Sequence, residues 1–414
     1  MEINEPPTYV KVKVSAHDKP SCEVLRLVKS DENNPVEEPS PLTRLEVVEP
    51  SKKEEIKQTA PNIENIKKEE VKQMTMETEK FPAQIKVIGV GGGGCNTVRR
   101  MMKHPTPGVE YIVCNTDIKS LQTVGGALAI QLGEHLTHGL GAGGNTSIGA
   151  RSAEEGHYVL KKALKDAELV FITAGMGGGT GTGAAPVVAQ IAREGHALVI
   201  AVVTTPFSFE GKRRFDLALG GIKRLRDEVD NLVIVHNDRL LQLTEHTEAA
   251  VQAFAMADEV VGEGILSISQ LVNVPGEINV DLADVKTVMS ISGGALMAMG
   301  RGVNTRYPAM DAAEQAISNP LLDINVKGAK GVLFNFAGGP ELTLGEVNDA
   351  ANFIAKEVDP GAIIFFGMTA PNEELHGTVK LTLVATGIRP ELPESWLSQM
   401  GEAIREAIVG HRAR

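Results

Sequence analysis

The chain has 414 residues, of which 42% are hydrophobic and 23% are charged, a composition typical of a soluble globular protein with room for two domains. Its formal net charge of -12 disfavours nucleic-acid binding, because phosphate recognition needs a basic surface. The three cysteines include no Cys-X-X-Cys pair, so we expect neither a disulfide framework nor a cysteine metal site, and a reducing cytoplasm fits.

Residues 1–80 differ in composition from the rest of the chain. They are rich in Pro, Glu and Lys, and residues 51–80 hold no apolar stretch that could form a core. We therefore predict a largely disordered extension, with one alternative: residues 9–14 and 23–28 could form a small β-hairpin. The first residues lack the apolar core of a signal peptide, and we expect no transmembrane helix in the chain.

From residue 84 onward, short apolar strands alternate with glycine loops and helices, which predicts an α/β fold with a parallel sheet. We expect a first domain at residues 81–263, a long central helix at about 247–271, a smaller α/β domain with a mixed sheet at 272–390 and an amphipathic tail at 391–414. The predicted strands are residues 85–90, 111–114, 169–173, 198–203, 232–236, 331–336, 362–367 and 379–386, and a further helix is predicted at 344–358.

The first glycine loop of this domain, residues 89–96 (GVGGGGCN), follows a strand directly, and a helix is expected to begin near Thr97. Glycines let a backbone approach phosphate closely, and a helix N-terminus supplies N–H donors. The loop also contains GxGxxG, and Asp117 follows the next strand, as in dinucleotide-binding oxidoreductases. The first loop alone leaves that alternative open.

Two further glycine loops follow. Residues 139–145 (GLGAGGN) offer backbone amides that could sense a terminal phosphate, and residues 175–183 (GMGGGTGTG) end the third strand and add two threonine hydroxyls. Two phosphate loops at adjacent strand ends can enclose a nucleoside triphosphate, whereas a dehydrogenase needs only one. The chain has no GxxxxGK[ST], which excludes a P-loop enzyme.

Together with Asn115-Thr116-Asp117, these loops resemble the FtsZ family of prokaryotic tubulin relatives. The resemblance covers about residues 84–388 and includes residues 205–207 (TPF), 209–214 (FEGKRR), 317–322 (ISNPLL) and 384–388 (VATGI). It implies a tubulin/FtsZ fold, in which a Rossmann-like parallel-sheet GTPase domain is joined by a long central helix to a smaller α/β domain with a mixed sheet. It also implies a self-assembling filament protein whose GTP hydrolysis is activated by polymerisation.

The resemblance further implies which residues bind the nucleotide. Glu210 and Arg214 match residues that hold the ribose, and Asn237, Phe254 and Asp258 match the guanine pocket. The nucleotide-binding residues implied in the loops and strand ends are Gly92, Gly93, Gly94, Cys95, Asn96, Asn115, Asp117, Gly143, Gly144, Asn145, Gly178, Gly179, Thr180, Gly181 and Thr182. Without the family, an exposed ion pair, a helix-core phenylalanine and a solvated aspartate are the alternatives for the ribose and guanine residues.

Residues 279–284 match the family's NxDxxD loop through Asn279, Asp281 and Asp284. The resemblance implies that this loop acts in trans: it projects onto the nucleotide of the next subunit, where Asp281 and Asp284 position and polarise the attacking water. The alternative from the residues alone is a helix cap with a first-turn acid.

The chain departs from the common bacterial pattern at Cys95, Thr146, Glu277 and Leu282, and its first loop is more similar to the archaeal branch. Glu277 places an extra negative charge near the expected subunit interface. No bacterial-type anchor peptide follows residue 388, so we expect membrane-anchor or division proteins to bind the amphipathic tail or residues 1–80.

The expected ligands are GTP or GDP and one Mg²⁺ that is held mainly by phosphates and water, without a protein metal site. The expected partners are further copies in a head-to-tail polymer and anchor or division proteins, but no nucleic acid. We expect the protein in the cytoplasm at the division site, in the cell-division (Z) ring. A tubulin-like filament for cell shape or another process, and a Rossmann oxidoreductase, are the alternatives.

Overall fold

The computed structural model describes residues 11–13, 23–25, 81, 83–239, 250–303, 305–318 and 326–388. Apart from Phe81, these residues belong to one compact unit. Most of the extension at residues 1–80 and all of the predicted tail at 391–414 lie outside the described residues. Within the described part of the chain, no helix combines the length and the apolar character needed to cross a membrane.

The described strands all lie in one sheet. They are β1 (Lys11–Lys13), β2 (Glu23–Leu25), β3 (Ile85–Val90), β4 (Val109–Asn115), β5 (Leu128–Gln131), β6 (Leu169–Gly175), β7 (Leu198–Thr205), β8 (Asn231–His236), β9 (Gly276–Ile278), β10 (Gly294–Val303), β11 (Gly331–Gly338), β12 (Ile363–Thr369) and β13 (Thr378–Ile388). Their order is β1-β2-β5-β4-β3-β6-β7-β8-β10-β13-β11-β12-β9.

Helices connect these strands. The described α-helices are α1 (Gly91–Met101), α2 (Ile118–Gln122), α3 (Glu134–Thr137), α4 (Thr146–Glu155), α5 (His157–Ala163), α6 (Thr180–Glu194), α7 (Lys212–Glu228), α8 (Ala250–Asn273), α9 (Leu282–Met289), α10 (Pro308–Ile317) and α11 (Leu344–Glu357). Short 3-10 turns lie at Ser208–Glu210 and Glu373–Leu375.

The first half of the sheet is parallel and buried. β3 pairs in register with β4 on one side and β6 on the other, so that Val90 at its end lies opposite Cys114 and Ala174. All six residues of β3 are buried. The carboxyl ends of these strands therefore lie together at one edge of the sheet, which is where open α/β sheets bind ligands.

Two hydrophobic cores cover the faces of this parallel half. On one face, α1 and α8 contribute Val98 and Ile265, and on the other, α6 and α7 contribute Val188 and Ile222. Burying each such side chain contributes roughly 1.5–3 kcal/mol. Cover on both faces explains why β6 and β7 read as nearly continuous apolar runs.

The second half of the sheet is mixed. β10 and β11 both pair antiparallel with β13, whereas β11 and β12 are parallel. A third core, which includes Phe334 and Phe336, lies beneath α10 and α11. The core beneath α8 includes Leu333 and Val384 of this half, so α8 packs on both halves of the sheet.

The predicted α/β organisation, with a parallel sheet followed by a mixed one, is confirmed, but three strands were not predicted. β5 and β9 have four and three residues, too few for a visible period. β10 contains three glycines, which are poor strand formers. A Cβ at Gly300 or Gly302 would lie only 1.8 or 2.0 Å from a carbonyl oxygen of α10, so close helix packing explains two of these glycines.

β1 and β2 pair antiparallel, and β2 pairs parallel with β5. Both strands lie within the segments for which the sequence allowed a hairpin. They extend the parallel half of the sheet beyond the β3–β8 region.

Candidate functional site

The first turn of α1 consists of glycines. The sequence predicted a loop up to about Thr97, but this prediction was wrong because α1 begins at Gly91. A Cβ on Gly94 would lie 2.3 Å from the carbonyl oxygen of Thr173, and a Cβ on Gly91, whose φ is +71°, would lie 2.7 Å from the nitrogen of Gly181. Close packing between backbones, rather than helix propensity, therefore requires glycine in this turn.

The second and third glycine loops are packed against each other in the same way. A Cβ on Gly179 would lie 2.9 Å from the nitrogen of Asn145, one on Gly149 would lie 2.3 Å from the oxygen of Gly179, and one on Gly183 would lie 2.0 Å from the oxygen of Thr146. The beginnings of α4 and α6 are thus in direct backbone contact. The three loops form one continuous surface at the carboxyl edge of the sheet.

Four glycines of this surface face open space. A Cβ added to Gly92, Gly143, Gly144 or Gly178 would meet no heavy atom of the described residues within 4 Å. The first N–H groups of α1 and α6 have no partner within their helices, and helix N-termini attract anions. The surface therefore offers both space and donors to a phosphate chain.

The two threonines of the loop at residues 175–183 bond within the protein. The hydroxyl oxygens of Thr180 and Thr116 lie 2.6 Å apart, and the fully buried Thr182 hydroxyl accepts a bond from the N–H of Gly177 at 2.8 Å. α6 begins at Thr180, within the glycine loop that the sequence predicted at residues 175–183. These hydroxyls therefore hold the loop in shape, and sequence reasoning assigned no individual role to Thr116.

The polar residues at the strand ends also shape the loops. Asn115 accepts a bond from the next backbone N–H at 2.8 Å, and Asp117 caps α2 by accepting from the N–H of Lys119 at 3.0 Å. Asn145 caps α4 through two backbone N–H groups at 2.9 and 3.3 Å. An isolated bridge between Asp117 and Leu140 joins the loop at residues 139–145 to the end of β4 and leaves the Leu140 side chain 85% exposed.

Cys95 faces the core. Burial raises the pKa of its thiol to about 12, and burial also raises the pKa of Cys114 well above its usual range. The thiols therefore stay protonated, and Cys95 can serve a phosphate only through its backbone N–H. Asn96 next to it is partly buried.

The ribose candidates lie beside a short turn. Glu210 accepts a bond from the N–H of Phe207 at 2.9 Å and forms an ion pair with Arg214, whose side chain is 54% exposed. Ser208 donates both its N–H and its hydroxyl to the carboxylate of Asp238. The ion pair expected from the residues alone is thus present, and Asp238 fixes the turn that carries Glu210.

An aromatic cluster and an unpaired amide follow along the same edge. Phe254 is 42% exposed, so it is not a core residue, and its ring meets Phe207 edge-on at 4.9 Å. Phe207 in turn stacks on Phe209 at 5.0 Å. The buried side-chain oxygen of Asn237 has no hydrogen-bond partner in the described part of the chain, which fits a site that a ligand donor completes.

Asp258 is not a solvated charge, because its side chain is only 14% exposed. One carboxylate oxygen accepts from the Thr97 hydroxyl at 3.1 Å, and the other accepts from the Arg100 guanidinium at 3.2 Å. Burial raises the pKa of Asp258, while the bonds and charge of Arg100 lower it. Sequence reasoning missed both Thr97 and Arg100, because a spatial pairing between α1 and α8 leaves no local motif.

The acidic motif forms the beginning of α9. Asp281 and Asp284 make a reciprocal capping box, in which Asp281 accepts from the N–H of Asp284 at 2.8 Å. Asn279 accepts from the N–H of Gly276 at 2.7 Å. Asp281, Asn279 and Glu277 are exposed. The cap expected from the residues alone is present, and it leaves carboxylate lone pairs free for a further contact.

This motif lies at the opposite edge of the sheet from the glycine loops. Asn273, the last residue of α8, bonds to the N–H of Ala83 and the carbonyl of Gly108, both at 3.2 Å and both just before β3 and β4. Asn231 at the start of β8 donates to the carbonyl of Met289 at the end of α9, also at 3.2 Å. Six-residue strands span about 20 Å, so the acidic motif and the glycine loops of one chain are separated by the length of the strands.

No group of three or more His, Cys, Asp or Glu residues in the described part of the chain is placed to hold a metal ion. A divalent cation at the glycine loops would therefore need ligands that the phosphates and water supply.

Comparison with known proteins adds two family matches. The GTPase domain of the Tubulin/FtsZ family matches residues 84–245, and the C-terminal domain of the FtsZ family matches residues 293–389.

Solved structures give the same result. A dimer of FtsZ from M. jannaschii has 40% sequence identity and a TM-score of 0.71, with coverage of 77% of this chain and 92% of that protein. A mutant of the same FtsZ has 39% identity and a TM-score of 0.71, with coverage of 79% and 96%. CetZ2 from Haloferax volcanii is similar in fold, with 22% identity, a TM-score of 0.66 and coverage of 78% and 98%.

Proposed function

The chain belongs to the FtsZ family of filament-forming GTPases, and from this premise we propose that it assembles head to tail and hydrolyses GTP between adjoining subunits in the cell-division ring. The predicted family, fold and GTPase activity are confirmed, and the oxidoreductase alternative is wrong. The proposal consists of the site shared between subunits, the roles of its residues, the use of Mg²⁺ and the role in division.

One observation supports a shared site above all others. The glycine loops lie at the carboxyl ends of the parallel strands, whereas the acidic motif is held at their amino ends. A head-to-tail contact would bring the acidic edge of one subunit onto the glycine edge of the next, and such heterologous contacts generate open filaments. Neither edge carries both halves, so hydrolysis would require assembly.

In this proposal, the glycine edge binds GTP. Backbone N–H groups of the turn at Gly92–Asn96 and of the loop at Gly178–Thr182 hold the phosphates, and Gly143, Gly144 and Asn145 contact the terminal one. Glu210 and Arg214 bond to the ribose, and these bonds replace part of the interaction between the two side chains. Phe254 stacks on the base, and Asn237 and Asp258 bond its polar edge.

The acidic edge acts on the nucleotide of its neighbour. Asp281 and Asp284, with Asn279 beside them, orient a water molecule whose oxygen attacks the γ-phosphorus. The bond from that phosphorus to the bridging oxygen breaks, GDP and phosphate form, and the water proton leaves to a nearby acceptor. Mg²⁺ would be held mainly by the phosphates and water rather than by protein residues, and it would supply charge neutralisation.

A mixing experiment tests the shared site. Asp284→Ala removes the acidic half, and Gly92→Asp places a negative charge in the phosphate space, where the added side chain meets open space. Each variant alone should be nearly inactive. A 1:1 mixture should regain up to roughly a quarter of the wild-type rate, because one contact in four joins the two intact halves.

The control for the mixing experiment is Gly220→Asp, which changes a glycine of α7 that also faces open space and should leave activity unchanged. A mixture as inactive as its components, although both variants fold and associate, would show that the site lies within one chain.

The division role is tested by cellular location. A fluorescent fusion should form a band at the division site in the cytoplasm, whereas filaments along the cell body would favour the cell-shape alternative. Removing residues 1–80 or 391–414 should weaken recruitment to the membrane if anchor or division proteins bind these ends. Unchanged recruitment after both deletions would exclude that part of the proposal.

A further inference from the structure

Two side chains of α1, Thr97 and Arg100, bond to the Asp258 carboxylate. Thr97 and Arg100 lie three residues apart, on one face of the helix, and contact different oxygens at 3.1 and 3.2 Å. The single hydroxyl proton of Thr97 is shared between this carboxylate and the carbonyl oxygen of Gly93 at 3.2 Å. Thr97 is buried, and the Arg100 side chain is only 30% exposed. The carboxylate is therefore fixed at both oxygens by partners that solvent reaches poorly.

This arrangement leaves a defined set of acceptors. An ionised carboxylate has about four lone-pair sites, two on each oxygen. Thr97 and Arg100 use one on each oxygen, so one on each oxygen remains. Guanine presents two neighbouring donors, N1–H and the exocyclic 2-amino group, which match this remaining pair of acceptors.

The ionised form is essential to that match. Burial favours the protonated carboxyl group, whereas the positive charges of Arg100 and of the exposed Arg99 favour the carboxylate. A protonated carboxyl group offers a donor on one oxygen, so it cannot accept from both guanine donors.

We propose that Arg100, with Thr97, is a positioning residue for guanine recognition, because it holds both oxygens of Asp258 ready to accept from the base. This inference rests on the proposed guanine pocket. Arg100 itself would not touch the nucleotide. Its effect would pass through Asp258 and would therefore change base selectivity as well as affinity.

The test compares binding of GTP with binding of inosine triphosphate, which lacks the 2-amino group. Arg100→Gln should weaken GTP binding about tenfold and inosine triphosphate binding about threefold, so that the preference for GTP shrinks. Arg100→Lys, which keeps the charge, should restore part of the preference. Lys103→Gln, at an exposed residue just after the same helix, should leave both affinities unchanged.

Asp258→Asn separates failure of this inference from failure of the pocket. If Asp258→Asn abolishes the preference for GTP while Arg100→Gln leaves it intact, Arg100 has no positioning role. If Asp258→Asn also leaves the preference intact, the guanine pocket itself is wrong, and the inference fails with it. Thermal unfolding of each variant shows whether the fold is kept, and a loss of affinity that is equal for both nucleotides in folded Arg100→Gln would overturn the proposal.

Discussion

The glycine edge and the acidic edge of this molecule are constructed in opposite ways. At the glycine edge, backbones touch so closely that a single added methyl group would collide with a carbonyl oxygen, as at Gly94 and Gly183. At the acidic edge, exposed side chains cap a short helix. The difference suggests that one half of the proposed site is fixed by packing of the fold, whereas the other half is local and can be changed with little effect on folding.

The largest expected loss of stability comes from adding a side chain where backbones touch at the glycine edge. Gly94→Ala would place a methyl group 2.3 Å from the oxygen of Thr173, so we expect the free energy of unfolding to fall by about 3 kcal/mol. Urea denaturation measures the loss. Gly92→Ala, in the same turn but facing open space, is the matched control and should be neutral or stabilising by up to about 1 kcal/mol. Equal losses in both variants would contradict the argument from close packing.

Changes at the acidic edge should separate activity from stability. Asp281→Ser keeps a side-chain oxygen that can cap α9 but removes the carboxylate, so stability should change by less than about 0.5 kcal/mol while GTP turnover falls on the order of a hundredfold. Asp284→Ala should lose turnover and also about 1 kcal/mol of stability, because it breaks the capping box.

A measurement of GTP turnover by the wild type at increasing protein concentrations completes this test. Activity per molecule should be negligible below a critical concentration, and both variants should still bind GTP. Full turnover in Asp281→Ser would show that this aspartate serves only as a helix cap.

The contrast between the two edges also explains what the sequence could predict. The glycine loops and the NxDxxD motif are each contiguous in the chain, so the sequence could indicate them as candidates. Arg100 and Asp258 are far apart in the chain and meet only when α1 packs against α8, so the pattern of neither helix indicated the pair. The helix start at Gly91 was missed because propensity rules treat glycine as a helix breaker, whereas here contact between backbones outweighs propensity.

The pH dependence of GTP binding tests the link between α8 and the glycine edge. Folding raises the pKa of Asp258 above its ordinary value of 3.8, so its contribution to stability is present below that value and lost as the pH rises through the raised pKa. The affinity for GTP depends on pH in the opposite direction, because the base needs the ionised carboxylate. Affinity should therefore fall about tenfold as the pH drops through the raised pKa.

Asp258→Asn is the control for titration of the nucleotide phosphates, which occurs equally in both proteins. The variant should bind GTP more weakly but lose the part of the pH dependence that belongs to Asp258. Identical pH profiles for wild type and variant would mean that this carboxylate does not contact the base.

A test within the glycine loop at residues 175–183 decides whether packing alone maintains the glycine edge. Thr182→Val keeps the shape of the buried side chain but leaves the N–H of Gly177 without the acceptor that it now has at 2.8 Å. We expect a loss of about 1.5 kcal/mol in urea denaturation. Thr182→Ser, which keeps the hydroxyl, should retain the bond. If the valine variant is as stable as the wild type, backbone packing alone fixes this loop; if it is destabilised and also binds GTP more weakly, the buried hydroxyl shares that role.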